Sequence, residues 1–244
     1  MAAGSGTVRT RRQLLVLGGT VGFGLAVGAR ARGASPAAHG GTRGAHARTQ
    51  EEEISPAEDL MREHGVLERL LLIYQASMAR VAQKDAVPLP VVVKAADLTR
   101  RLVEDYHERL KEQDLFPRFE AARTLVDLVG TLRAQHQPGR LLTDEIRRIA
   151  AAGAPAALAD DRGLSSAVDA FVRMYRPHAA REETVLFPAF RKLVKAREYA
   201  ELGEQFEDKE HALFGRGGFD DVVGQVAELE TAVGIYQLAQ FTPA

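Results

Sequence analysis

The sequence predicts an all-α protein, an up-down-up-down four-helix bundle with a C-terminal helical extension. From residue 56 onward, apolar residues recur at the three- and four-residue spacing of helices, and no stretch alternates as a half-buried strand would. Start and stop signals divide that pattern into segments of roughly 20 to 30 residues joined by short loops, the proportions of a bundle. One phrase is also written twice. The first copy runs from His107 through Glu112 to Leu115-Phe116-Pro117 and Phe119, and the second from His178 through Glu183 to Leu186-Phe187-Pro188 and Phe190.

The first helix begins at Ser55-Pro56-Ala57-Glu58, with a serine N-cap, proline in the first turn and an acidic residue at the third position. Leu60, His64, Leu67, Leu71 and Tyr74 form its inner stripe. A break falls at Lys84–Pro90. The second helix carries Leu98, Leu102, Val103 and His107 and is expected to end near Leu115, because Pro117 disfavours helix at the residue before it. The third shows Leu125, Leu128, Leu132, His136, Leu142, Ile146 and Ile149, with a kink expected just after His136 from Pro138. Residues 151–163 read as loop. The fourth places Phe171, Tyr175, His178 and Glu182 on one face and is expected to end near Pro188. In the extension a short helix runs through His211. After the glycines at 215–218 comes a last amphipathic helix with Val222, Val226, Leu229, Val233 and Leu238 inward.

Composition narrows the chemistry. The 244 residues contain no cysteine, which excludes disulfides, thiolate metal sites and cysteine nucleophiles, so any metal must be held by histidine, carboxylate or water. Residues 1–50 hold seven arginines and no acidic residue, so the net charge of −1 averages a basic leader with an acidic body. The body has no basic patch interleaved with aromatics, which argues against nucleic-acid binding. Arg11-Arg12-Gln13-Leu14-Leu15 opens a glycine-rich apolar run to Val27 that is too short to span a bilayer. The leader resembles a twin-arginine export signal, with cleavage after Ala31 or Ala37. The expected organisation is a signal over residues 1–37, a disordered linker over 38–53, the bundle over 54–195 and the extension over 196–244, with no transmembrane helix in the mature, extracytoplasmic chain.

His64, His107, His136 and His178 each fall in the apolar stripe of a different helix. A single inward histidine is ordinarily a hydrogen-bonded core residue. Four together would cost several kcal/mol if left without partners, and a shared metal ion would satisfy them at once. Glu182 lies four residues after His178, one turn on and on the same face, so both can reach one ion. Imidazole and carboxylate without thiolate suit iron, zinc or manganese.

On these residues the body resembles the hemerythrin-like, HHE cation-binding family. The match rests on His64; on His107 with Leu115-Phe116-Pro117; on Gln135-His136 with Gly139-Arg140; and on His178 and Glu182 with Leu186-Phe187-Pro188. Lys209-Glu210-His211 and Phe241-Thr242-Pro243 resemble the extension of exported bacterial members. The resemblance implies a four-helix bundle around a non-haem di-iron centre bridged by carboxylates and solvent, with dioxygen as a ligand in some members and oxygen or iron sensing in others. Carried over residue by residue, the expected metal ligands are His64, His107, Glu108, Glu112, His136, His178 and Glu182, with two iron ions as the leading expectation and one as the alternative. Glu108 enters because some members use the residue just after this histidine.

The chain departs from the family at Lys111, which stands four residues after His107 where a bridging glutamate is usual; an ammonium has no lone pair and repels a cation. Glu112 is one residue further, about 140° around an α-helix from His107, and points away unless the helix distorts. Three outcomes follow: Glu112 enters through a local bulge, one ion binds at His178 and Glu182 with other histidines, or the site is degenerate and Lys111 pairs with Glu108 or Glu182. Three functional classes stay open: an exported metal-binding and oxygen-binding protein, a non-haem iron enzyme acting on peroxide, nitric oxide or ferrous iron, and a structural bundle.

Overall fold

The computed structural model describes residues 54–83, 85, 88–153, 161–215 and 217–243, and within them the protein is all-helical, with no strand. The expected signal and linker lie outside the described residues. Among the described residues there are six main helices. Helix α1 is Pro56–Ala82. Helix α2 spans 89–121: it is α-helical over Leu89–Leu98, π-helical over Thr99–Glu108 and Lys111–Leu115, and α-helical again over Phe116–Ala121. Helix α3 is Val126–Ala151. Helix α4 spans 161–193, with α segments Asp161–Arg181 and Phe187–Leu193 around a π segment, Glu182–Leu186. Helices α5 (Ala196–Phe214) and α6 (Gly218–Ala232) form the extension, followed by a 3₁₀ turn at Leu238–Phe241.

The start of α1 follows its sequence signals: the Ser55 hydroxyl accepts from the Glu58 amide at 3.4 Å, and Pro56 opens the first turn. Helices α2 and α4 do not end near Leu115 and Pro188 as expected. Each passes through a π segment and continues as α-helix, with Pro117 or Pro188 in the first turn of the new segment. A π turn bonds i to i+5, so the ladder is already broken there and proline, lacking N–H, is accommodated as at any helix start. The duplicated phrase therefore encodes a π-to-α junction rather than a stop. Helix α3 runs continuously through Pro138, and α4 resumes at Asp161, inside the segment expected to be loop. Leu125, expected in α3, instead precedes it in a left-handed conformation.

Helix α6 ends earlier than its apolar pattern suggests. Gly234 adopts φ +75, and the Ile235 amide closes back on the Glu230 carbonyl at 2.9 Å, a glycine-dependent C-terminal turn. Leu238, expected inward, is consequently 81% exposed.

Helix α1 packs against α2 and α4, α3 packs against the same two, and the C-terminal ends of α2 and α4 also meet. The core between them contains Leu60, Leu67, Tyr74, Leu102, Ile146, Phe171 and Tyr175, all buried. The last aromatic of each copy of the phrase meets its counterpart: Phe119 and Phe190 lie 6.5 Å apart, both fully buried. Burial of each such side chain contributes about 1.5–3 kcal/mol, enough to hold α2 and α4 in one register. Helices α5 and α6 pack against α1. Tyr106 of α2 donates to the Phe206 carbonyl at 2.9 Å, and Arg69 of α1 makes a bidentate pair with Glu230 at 2.8 and 2.6 Å.

Candidate metal centre

The four inner histidines are all buried, and each has its Nδ1 taken by an oxygen acceptor. His107 donates to Glu63 at 2.6 Å, His136 to Glu112 at 2.5 Å, His178 to Gln135 at 2.9 Å and His64 to Glu183 at 3.1 Å. An ionised carboxylate or an amide oxygen only accepts, so the proton sits on Nδ1 and the lone pair on Nε2. Carboxylates or amides behind the ring are how metal-binding imidazoles are ordinarily oriented.

The Nε2 atoms face inward and meet acceptors rather than donors. His64 Nε2 lies 2.9 Å from His107 Nε2 and 3.2 Å from Glu182 Oε2, and His178 Nε2 lies 3.4 Å from Glu182 Oε1. The Nε2 atoms of His136 and His178 are buried with no hydrogen-bond partner. Lone pairs facing lone pairs are repulsive unless a cation lies between them. With metal–nitrogen bonds of about 2.0–2.1 Å, two adjacent ligands of an octahedron are about 2.9 Å apart. The spacing of His64 and His107 fits that requirement, and their Nε2 atoms with a Glu182 oxygen form a group whose ligand atoms lie within 4.8 Å of one another.

Burial lowers the pKa of His107 (well below its ordinary value), His136 and His178, and in all three the nearby Lys111 ammonium lowers it further. The rings are therefore neutral at pH 7, as ligands must be. Burial pushes the Glu182 carboxyl up, but the Lys111 ammonium beside it holds it well below the usual carboxylate range.

Lys111 does not fit the pattern. Its side chain is 1% exposed, and its Nζ donates to both oxygens of Glu182 at 2.8 and 2.6 Å. Of the pairings expected for a degenerate site, the structure has the one with Glu182. Glu108, Lys111 and Glu112 stand at i, i+3 and i+4 and share one face of α2, with Glu108 and Lys111 buried and Glu112 partly exposed. The π turn that begins at Lys111 draws Glu112 toward the face of His107, from which an α-helix would set it about 140° away. Glu112 accepts from His136 and contacts Arg140 at 3.1 Å, while Glu108 receives Arg140 at 2.9 Å and the Tyr175 hydroxyl at 2.7 Å. Glu108, Glu112 and His136 form a second group within 4.8 Å, at its edge the Arg140 guanidinium. Burial raises the Glu108 carboxyl to about 8, against the pull of Lys111, Tyr175 and Arg140.

All seven residues expected from the sequence thus lie in these two groups or beside them. Sequence reasoning did not name Glu63 and gave no role to the rest of the supporting shell: Glu183 and Gln135, which with Glu63 hold the rings, and Tyr175 and Arg140, which hold Glu108. The signal was adjacency, since Glu63 precedes His64, Gln135 precedes His136 and Glu183 follows Glu182. The duplicated phrase also supplies the lids. Phe116 stacks on His136 at 5.7 Å and Phe187 lies 5.3 Å from His64, so each copy covers a histidine of another helix. His211 stands apart from both groups, on α5 beside Gly218.

The family model described as the hemerythrin HHE cation binding domain matches residues 55–190 and 127–231. Uncharacterized proteins of Mycobacterium bovis and Mycobacterium tuberculosis are each 47% identical to this chain over 198 residues, covering 80% of it and 76% of theirs. No solved structure matches.

Proposed function

This chain belongs to the hemerythrin family of HHE cation-binding domains, and we propose that it is an exported non-haem iron protein whose ligand is dioxygen. The family supports binding of a metal cation. The observation that carries the reading is the set of four imidazoles with Nδ1 occupied behind, three of which, His64, His107 and His178, bring Nε2 within 4 Å of Glu182. His64, His107 and Glu182 would hold the ion, with His178 beside Glu182 and the ring of His136 next to that of His178. Iron is the ion this nitrogen and oxygen donor set suits best within the family. When bound, it supplies a redox-active centre with positions the protein leaves open. The residues around it keep His107, His136 and His178 neutral, hold the ring lone pairs in place and exclude water with Phe116 and Phe187. Among the described residues no helix is long and apolar enough to cross a membrane. We read α1 to α4 as an up-down-up-down bundle, a reading that the packing of α1 and α3 against both α2 and α4 supports.

Elemental analysis of protein purified after expression with iron tests the reading, and a metal content at background would sink it. Dioxygen as ligand predicts a reversible visible absorption change between anaerobic and air-equilibrated protein. Export predicts that residues 1–53 carry a folded reporter across the membrane and that Arg11→Lys with Arg12→Lys stops it. A second reading, a structural bundle with a vestigial site, is favoured by Lys111 sitting on Glu182. It requires that neither chelators nor His107→Ala with His178→Ala change the melting temperature, whereas a metalloprotein loses stability with its metal.

A further inference from the structure

We propose that the Lys111 ammonium is a permanent cation of this centre, standing in for one of two metal ions, so that the protein loads a single ion among His64, His107 and Glu182. The inference rests on the metal-binding reading and replaces the two-ion expectation drawn from the sequence.

Two observations carry it. Lys111 and Glu182 hold equivalent places, each four residues after the histidine of its copy of the phrase. Where two carboxylates would face each other across two cations, an ammonium faces one carboxylate and binds both its oxygens at 2.8 and 2.6 Å. Half of the usual anionic charge is gone, and a fixed positive charge has taken its place.

The other half-site is also occupied by a charge of the chain's own. Arg140 lies 2.9 Å from Glu108 and 3.1 Å from Glu112, and the ring of His136 offers Glu112 its Nδ1 proton. The carboxylates of that group are thus already balanced by a guanidinium. The His64, His107 and Glu182 group shares its carboxylate with Lys111, but it also brings two imidazole nitrogens to 2.9 Å, a contact that the Lys111 ammonium on Glu182 does not bridge. That is the position left for a metal ion. Because Lys111 neutralises Glu182 without metal, the bundle also has a reason to stay folded when empty.

The test counts ions in the full chain, loaded anaerobically with ferrous iron and desalted, with zinc loading as a redox-inert parallel. Wild type is expected to hold one ion per chain and Lys111→Glu two. Two ions in wild type would overturn the proposal and leave the metal-binding reading intact, whereas no ion in either chain would remove both. A folded Lys111→Glu holding only one ion would also overturn it. Should that variant fail to fold, Lys111→Gln serves instead. Without the repelling ammonium its affinity for the single ion should rise at least tenfold, and its metal-free melting temperature should fall by about 10 °C as Glu182 is left unbalanced. Wild-type affinity and stability in Lys111→Gln would count against the proposal.

Discussion

Lys111 and Glu182 grip each other through two hydrogen bonds, at 2.6 and 2.8 Å, with the two residues 1% and 0% exposed. Removing one partner of such a pair leaves a buried, uncompensated charge, which costs about 3–5 kcal/mol; replacing both with neutral side chains of similar volume costs far less. In metal-free protein, Glu182→Gln is therefore expected to be strongly destabilised, and Glu182→Gln combined with Lys111→Met to be more stable than Glu182→Gln alone. Urea unfolding of the four proteins as a double-mutant cycle measures this. Additive costs would mean that the two groups are not coupled.

The acceptors behind the rings set metal affinity without touching the metal. Gln135 holds only the Nδ1 of His178, so Gln135→Met frees that ring to rotate while leaving the inner donors unchanged. Loss of such a support typically costs 10–100-fold in affinity, as a rough range. Competition with a chromophoric chelator should find a loss of that order for zinc, with the metal-free melting temperature within a few degrees of wild type. An unchanged affinity would show that packing by Tyr175, whose ring lies 5.8 Å from that of His178, orients the imidazole by itself.

The helical class, the start of α1 and all four inner histidines were legible in the sequence because they follow from period and capping, which are local. The continuations of α2 and α4 were not. Proline after a regular helix is a stop, and only the packing of Phe116, Phe119, Phe187 and Phe190 makes it worthwhile to cross Pro117 and Pro188 through a widened turn. That same turn explains why Glu112, placed off the face by ideal helix geometry, reaches His136. The expected inward Leu238 failed for a local reason, the left-handed Gly234 that ends α6 first. Which of two carboxylates Lys111 would choose depended on the register of α4 against α2, a long-range property with no local signal.

Acid and alkali should both destabilise this core, through different groups. His107, His136 and His178 have folded pKa values below their unfolded value of about 6.5. Below that pH the unfolded chain takes up protons that the folded one refuses, so stability falls as pH drops, by up to about 1.4 kcal/mol per pH unit for each ring. Glu108, raised to about 8, binds its proton in the folded state first, so its contribution is full below about pH 4.5 and is lost as pH rises through 8. Metal-free protein should thus be most stable between these limits. Glu108→Gln should remove the alkaline loss and leave the acid loss in place, as read by melting temperature from pH 5 to 9. An alkaline loss unchanged in Glu108→Gln would assign it to another group.

Gly139 is the position where a single methyl group should reveal how tightly Tyr175 is held. A Cβ built there would collide with the Tyr175 hydroxyl and press on Met174. Tyr175 is buried and donates to Glu108 at 2.7 Å, so it has no free space into which to retreat. In a helix interior, glycine to alanine alone stabilises by up to about 1 kcal/mol. Overpacking a core costs about 1–3 kcal/mol and is the larger effect here. Gly139→Ala is therefore expected to lower the melting temperature, and Tyr175→Phe in the same chain to recover part of the loss by removing the atom that collides. The hydrogen bond lost with that hydroxyl limits the recovery, because Glu108 then keeps only Arg140. If Gly139→Ala were stabilising, the helix would have room to shift at this point, and the link from Gly139 through Tyr175 to Glu108 would not constrain the centre.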